Sequence, residues 1–212
     1  MSIIIRRATP ADIEAIGRLV IDVWRETYRG ILSDYVLATQ TVPVGERSIR
    51  YVGLDGDGNG RAALVAERAG EIVGFAAAGP ASDGSLGTAA EIAPPYVARR
   101  LQFRGIGGRL MGGLAHTLIA SGHTSGGLWI PRDNVAAVAF ARALGGAVAG
   151  TRSTCAGETM LEEIAVIWPD LADLAVWHAE PVALSRATRT APGLAASDIV
   201  AADALARLRP DG

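Results

Sequence analysis

The chain has 212 residues, half of them hydrophobic, and a formal net charge of −2. That is enough apolar material for one domain with its own core. The charge balance gives no reason to expect nucleic acid or an anionic membrane as partner. A single cysteine, Cys155, excludes an internal disulfide and fits a reducing compartment. The three histidines, at 116, 123 and 178, are scattered and give no metal-ligand spacing. The first seven residues place apolar residues before the charges and do not read as a signal peptide. No run reaches the roughly 18 apolar residues of a membrane helix. A cytoplasmic protein without a metal is expected.

In chain order, residues 3–8 (Ile-Ile-Ile-Arg-Arg-Ala) read as a short strand rich in β-branched residues. Thr9-Pro10-Ala11-Asp12 then supplies a capping hydroxyl, a proline at the first helical position and an acid in the first turn. Ile13, Ile16, Val20, Val23 and Trp24 follow at helical spacing, so the helix is predicted to run to about Tyr28. A second helical stretch is expected between residues 32 and 52. The glycine-rich run 55–60 is turn chemistry. It looks like a calcium loop but lacks the closing glutamate. Residues 62–68 and 71–78 are two apolar runs around Ala69-Gly70, which predicts a β-hairpin. A loop follows over 79–87.

Residues 91–98 read as a strand interrupted by Pro94-Pro95, so a bulge or one-sided pairing is expected there. A helix is predicted from about Gly105, with Ile106, Leu110, Leu114 and Leu118 on one stripe. Then come a strand over 126–131, a helix over 134–144 ended by Gly145-Gly146, and strands over 147–154 and 160–168. The order implies a mixed α/β domain. Beyond Pro169 the pattern weakens, although residues 197–208 have helical periodicity. The expected division is a domain over 1–168 and a partly helical or disordered extension over 169–212.

The chemistry concentrates in Gln102-Phe-Arg-Gly-Ile-Gly-Gly-Arg109, between a strand and a helix. Glycines let main-chain N–H groups approach a ligand, and the start of a helix offers unpaired donors and partial positive charge. A diphosphate suits such a place, with Arg104 and Arg109 adding charge to a local cluster that includes Arg99 and Arg100. A tight turn with no ligand is the bland alternative. A dinucleotide-binding turn needs a third glycine where Leu110 stands and an acid near residues 123–127. A phosphate-binding P-loop needs a following Gly-Lys-Ser/Thr, which is absent.

Gln102-Phe-Arg-Gly105-Ile-Gly107 resembles the coenzyme A loop of the GNAT N-acetyltransferases, in their small-molecule and amino-acid branch. So do other stretches in the same order: Trp24-Arg-Glu-Thr-Tyr-Arg-Gly-Ile-Leu32, Glu91-Ile-Ala-Pro-Pro-Tyr-Val97, Asn134 with Phe140 and Leu144-Gly145, and Leu161-Glu-Glu-Ile164. The resemblance spans about residues 3–168. It implies a mostly antiparallel sheet whose fourth and fifth strands are parallel and splay apart, with helices on both faces. It further implies acetyl-CoA as co-substrate, held by Tyr96, Val97, Gln102, Phe103, Arg104, Gly105, Ile106, Gly107, Gly108, Arg109, Asn134 and Phe140. Glu91 is the implied general base, and Trp24 and Tyr28 edge the acceptor cleft. Glu26, Asp34 and Asp83 are acids that could attract a cationic amine.

The implied reaction is direct attack of a small-molecule primary amine on the thioester in a ternary complex, in an enzyme expected to be a homodimer with no nucleic-acid or membrane partner. One position departs from the family. The tyrosine that usually follows the phenylalanine is Ala141 here, leaving Tyr28, Tyr35, Thr151 or Ser153 as substitute acids, or water. Cys155 is expected to pack rather than react. Ala141 also keeps open an acyl-CoA-binding sensor with little or no turnover.

Overall fold

A computed structural model describes residues 2–32, 34–39, 61–81, 84–156 and 159–178. The glycine-rich run 55–60, Asp83, most of the second helical stretch and the periodic segment 197–208 lie outside the described residues. The strands are β1 (Ile4–Arg7), β2 (Ala62–Arg68), β3 (Glu71–Pro80), β4 (Ala90–Ile92), β5 (Tyr96–Val97), β6 (Gly126–Pro131), β7 (Ala147–Ala156) and β8 (Thr159–Trp168). The helices are α1 (Ile13–Thr27), α2 (Asp34–Thr39), α3 (Ile106–Ala120), α4 (Val135–Ala143) and α5 (Leu171–Ala175). The sheet runs β1-β2-β3-β4-β6-β8-β7, with β5 beside β3.

Every pair is antiparallel except β4 with β6, which run parallel through Ala90↔Gly126 and Glu91↔Gly127. This is the mixed, mostly antiparallel α/β architecture expected. The β2–β3 hairpin turns on Ala69 (φ 52°) and Gly70 (φ 81°). Two positive φ values in succession give the turn whose twist matches the flanking strands.

Alternation along β3 assigns the helices to faces. A Cβ on Gly74 would lie 3.1 Å from Leu110 and 3.3 Å from Ile106, so this face carries α3. The opposite residues, Val73, Phe75 and Ala77, are fully buried on the α1 side. Leu171 and Leu174 of α5 are also fully buried, and α5 packs on α3. The core therefore continues beyond residue 168, through a short helix that the weak periodicity after Pro169 did not announce.

The entry into α1 is an ion-paired cap. Arg6 of β1 donates both terminal nitrogens to the Asp12 carboxylate at 2.8 Å, and its Nε to Glu67 at 2.8 Å. The Thr9 amide and hydroxyl each donate to Asp12 as well, at 2.8 Å. The bonds from Arg6 do most to hold the Asp12 carboxyl down to about 2, against the opposing effect of burial. A carboxyl with a lowered folded pKa stabilises the fold above its unfolded value and loses that contribution as pH falls. Asp12→Asn is thus expected to cost about 2 kcal/mol at pH 7 and almost nothing at pH 2. Thermal melts of both proteins from pH 2 to 7 check this; a constant difference would contradict it.

Candidate functional site

The two prolines decide where the sheet opens. β4 pairs with β6 for only two residues, and then Pro94-Pro95 removes two main-chain donors. When the strand resumes as β5, it pairs with β3 alone, through Phe75↔Tyr96 and Gly74↔Val97. A gap therefore lies between β5 and β6. The Ala98 amide bonds the Val73 carbonyl at 2.9 Å, so alternation turns the Val97 amide and carbonyl toward the gap. The Val97 carbonyl accepts from Gln102 Nε2 at 3.1 Å. Gln102 thus ties the glycine loop to the open edge of β5.

The loop itself carries two left-handed residues. Phe103 has φ 59° and is fully exposed; Gly105 has φ 77°. A phenylalanine with positive φ is strained, and such strain concentrates at ligand sites. Gly105 caps α3, a helix of 15 residues. Arg109 is the first residue whose amide bonds back, to the Gly105 carbonyl at 3.0 Å. The earlier amides of the first turn have no intrahelical acceptor. Space in front of Gly105 is open, with nothing within 4 Å of where a Cβ would stand. Gly107 instead makes room for an aromatic ring, since a Cβ there would lie 3.0 Å from Phe140.

A cleft of about 630 Å³ joins these parts. Its lining takes in the α3 terminus, Pro95 and Phe140, and the side chains of Tyr28, Tyr96 and Asn134. Tyr28 sits where α1 stops. Its carbonyl accepts from the Ile31 and Leu32 amides at 3.0 Å, in a turn that Gly30 allows with φ 85°. Burial raises the Tyr28 hydroxyl pKa, the nearby Glu163 charge raises it further, and a side-chain hydrogen bond with Asn134 partly offsets both. Asn134 Oδ1 already accepts from the Ala137 amide at 3.2 Å, as the cap of α4. The Tyr96 hydroxyl is buried and has no hydrogen-bond partner among the described residues. Its pKa is raised by burial and then by Tyr28.

The expected residues divide into two groups. Tyr28, Tyr96, Val97, Gln102, Phe103, Gly105, Ile106, Gly107, Gly108, Asn134 and Phe140 all line the cleft. Trp24, Glu91, Arg104 and Arg109 do not. Trp24 is a core residue packed on the Tyr28 ring at 5.1 Å and does not edge the cleft as the resemblance implied. Arg109, expected at the phosphates, instead donates to the Ile3 carbonyl at 3.1 Å. Arg104 is exposed on the loop. Glu91 is 2% exposed and lies on the α1 face of the sheet, between Gly79 and Gly127. Of the candidate acids, Tyr35 is 79% exposed on α2, and Thr151 and Ser153 are exposed on β7.

Glu163 is a buried carboxylate that sequence reasoning passed over. It accepts from Arg152 Nε at 2.7 Å, and that guanidinium lies 4.3 Å over the Trp129 ring. Its signal was available: an acid between Leu161 and Ala165 at an inward position of a strand.

The profile of the Acetyltransferase (GNAT) family matches residues 23–145, more than half of the chain. The chain belongs to this family. Within the GNAT family, it is 26% identical over 175 residues to an uncharacterized N-acetyltransferase, YuaI, of Bacillus subtilis strain 168, covering 80% of this chain and 95% of that protein. Its fold is similar to the PaiA N-acetyltransferase of Thermoplasma acidophilum in complex with coenzyme A. The TM-score is 0.60 at 21% identity, over 77% of this chain and 98% of that one. It is also similar to YncA, a putative acetyltransferase of Salmonella typhimurium solved with acetyl-CoA. The TM-score is again 0.60 at 21% identity, over 87% of this chain and all of that one.

Proposed function

We propose that this GNAT protein is an N-acetyltransferase that moves an acetyl group from acetyl-CoA to the primary amine of a small molecule, by direct attack in a ternary complex. The observation that carries the reading is one cleft lined by the first turn of α3, by both sides of the β5–β6 gap and by two buried tyrosines. A linear co-substrate with a diphosphate in its middle and a thioester at one end fits that cleft. The amides near Gly105 receive the diphosphate. The Val97 amide, on the open edge of β5, suits the pantetheine arm. Pro95 and Phe140 wall that arm and exclude water.

In the reaction a C–N bond forms, the C–S bond breaks, and one proton must leave the amine while one reaches the sulfur. An amine of pKa about 10.4 costs about 4.6 kcal/mol to deprotonate at pH 7, so a base helps. Glu91 is the proposed base, acting through water, since its carboxylate is buried on the α1 face and does not line the cleft. Tyr28 is the proposed acid in place of the residue that Ala141 lacks. Burial with the Glu163 charge keeps its hydroxyl protonated at neutral pH. The Tyr96 hydroxyl would donate to the thioester oxygen.

Among the described residues, no helix is long and apolar enough to cross a membrane, and no His, Cys, Asp and Glu cluster could hold a metal ion. The proposal includes a cytoplasmic homodimer with no nucleic-acid or membrane partner, which light scattering during size-exclusion chromatography checks for the oligomer. Ala141 favours a second reading, a sensor that binds acyl-CoA without turnover. Thiol release from acetyl-CoA across a panel of amino acids, polyamines and aminoglycosides separates them. Turnover with an amine, lowered about 100-fold by Glu91→Gln, supports the enzyme. Coenzyme binding with no turnover on any amine supports the sensor.

A further inference from the structure

The cleft has one wall that belongs to none of the elements discussed so far. After α5 the chain crosses α3 at Gly108 and Gly112, one turn apart. A Cβ on Gly112 would lie 2.6 Å from the His178 amide nitrogen and 2.9 Å from the Trp177 carbonyl carbon. A Cβ on Gly108 would lie 3.2 Å from the Trp177 ring. Only hydrogen at Gly112 lets the backbone come this close, and hydrogen at Gly108 leaves room for the indole. His116 Nε2 donates to the His178 carbonyl at 3.0 Å and fixes the crossing from the next turn. The result is a large aromatic ring that lines the cleft yet stays 45% exposed. A tryptophan so placed keeps nearly half of its surface available to a ligand.

The neighbours of Trp177 say what that ring meets. Tyr28 and Tyr96 line the same cleft. Gly107 faces Pro95 and Phe140, next to the amides of Gly105 and Ile106. Gly108, in the same first turn of α3, faces Leu144 and Trp177. With a diphosphate at the amides, the part of coenzyme A beyond it lies within reach of Trp177. That part is an adenosine, whose purine presents a flat π-face. A half-exposed indole beside a phosphate cradle is a stacking platform for it.

We propose that Trp177, carried by the segment after the last strand, is a coenzyme-binding residue that stacks on the adenosine end of coenzyme A. The inference rests on the acetyl-CoA reading above and adds a binding role for a segment outside residues 23–145. The test uses the full-length chain, calorimetry and two ligands: coenzyme A, and 4′-phosphopantetheine, which lacks the adenosine. Trp177→Ala is expected to weaken coenzyme A about tenfold and leave 4′-phosphopantetheine unchanged, with Trp177→Phe close to wild type. Gly112→Val, which pushes on the His178 backbone, is expected to reproduce the alanine pattern without touching the ring. Coenzyme A affinity unchanged in Trp177→Ala, or an equal loss for both ligands, would overturn the role of Trp177. If the wild-type chain bound neither ligand, the acetyl-CoA reading itself would fall, and the inference with it.

Discussion

Gly105→Val is expected to bind coenzyme A at least about 30-fold more weakly than wild type. Two effects combine. A β-branched residue at φ 77° carries roughly 1–3 kcal/mol of backbone strain, which the loop relieves by turning its amides. The new side chain also stands in open space in front of the helix terminus, the proposed place of the diphosphate. That same open space means that no clash in the apo protein unfolds it. Gly122→Val supplies the control. Gly122 lies just past the other end of α3 with φ 89° and equally open space, so it carries the same strain with no ligand nearby. Both variants should lose similar thermal stability, and only Gly105→Val should lose coenzyme A. Equal affinities in the calorimeter would remove the loop from the site.

Tyr28→Phe is expected to lower kcat about 100-fold with KM for acetyl-CoA nearly unchanged, since a general acid acts on the transition state more than on binding. Tyr96→Phe gives a separate signature. Its hydroxyl is buried without a partner among the described residues, so its removal should leave stability unchanged or raise it by about 1 kcal/mol. Turnover should nonetheless fall roughly tenfold. A residue with a merely structural hydroxyl would show the reverse, a loss of stability with normal kcat. The raised pKa of Tyr28 also fixes a sign. The group stays protonated well past neutral pH, so any alkaline loss of rate below about pH 10 must come from another group. A full-rate Tyr28→Phe enzyme would return the acid role to water.

Much of this site was legible because its parts obey local rules. Glycines at 105 and 107, before a stripe of Ile106, Leu110 and Leu114, announce a helix whose start is bare of side chains. Pro94-Pro95 inside an apolar run announces a strand that cannot pair on both edges. The alanine-rich run after Asn134 announces a helix, and the structure adds that the Asn134 side chain caps it by accepting from Ala137. What escaped was set by distant packing. Arg109 follows the loop in sequence, yet its guanidinium is drawn to the Ile3 carbonyl, more than a hundred residues away. The resemblance put Trp24 at the cleft edge, while packing buries it in the core. Glu163 meets Arg152 only because the β7–β8 register brings them opposite each other. Trp177 follows a stretch without strong periodicity. Its position depends on the room that Gly108 and Gly112 leave on another helix.

The proposed coenzyme binding turns on unpaired amides at the head of α3. The most direct measurement is a titration of the ¹⁵N-labelled chain with coenzyme A, followed amide by amide in NMR spectra. The amides of Gly105, Ile106 and Gly107 are expected to show the largest saturable shifts, with Val97 moving in step. Shifts that saturate elsewhere while these amides stay in place, or no change at millimolar coenzyme A, would contradict it.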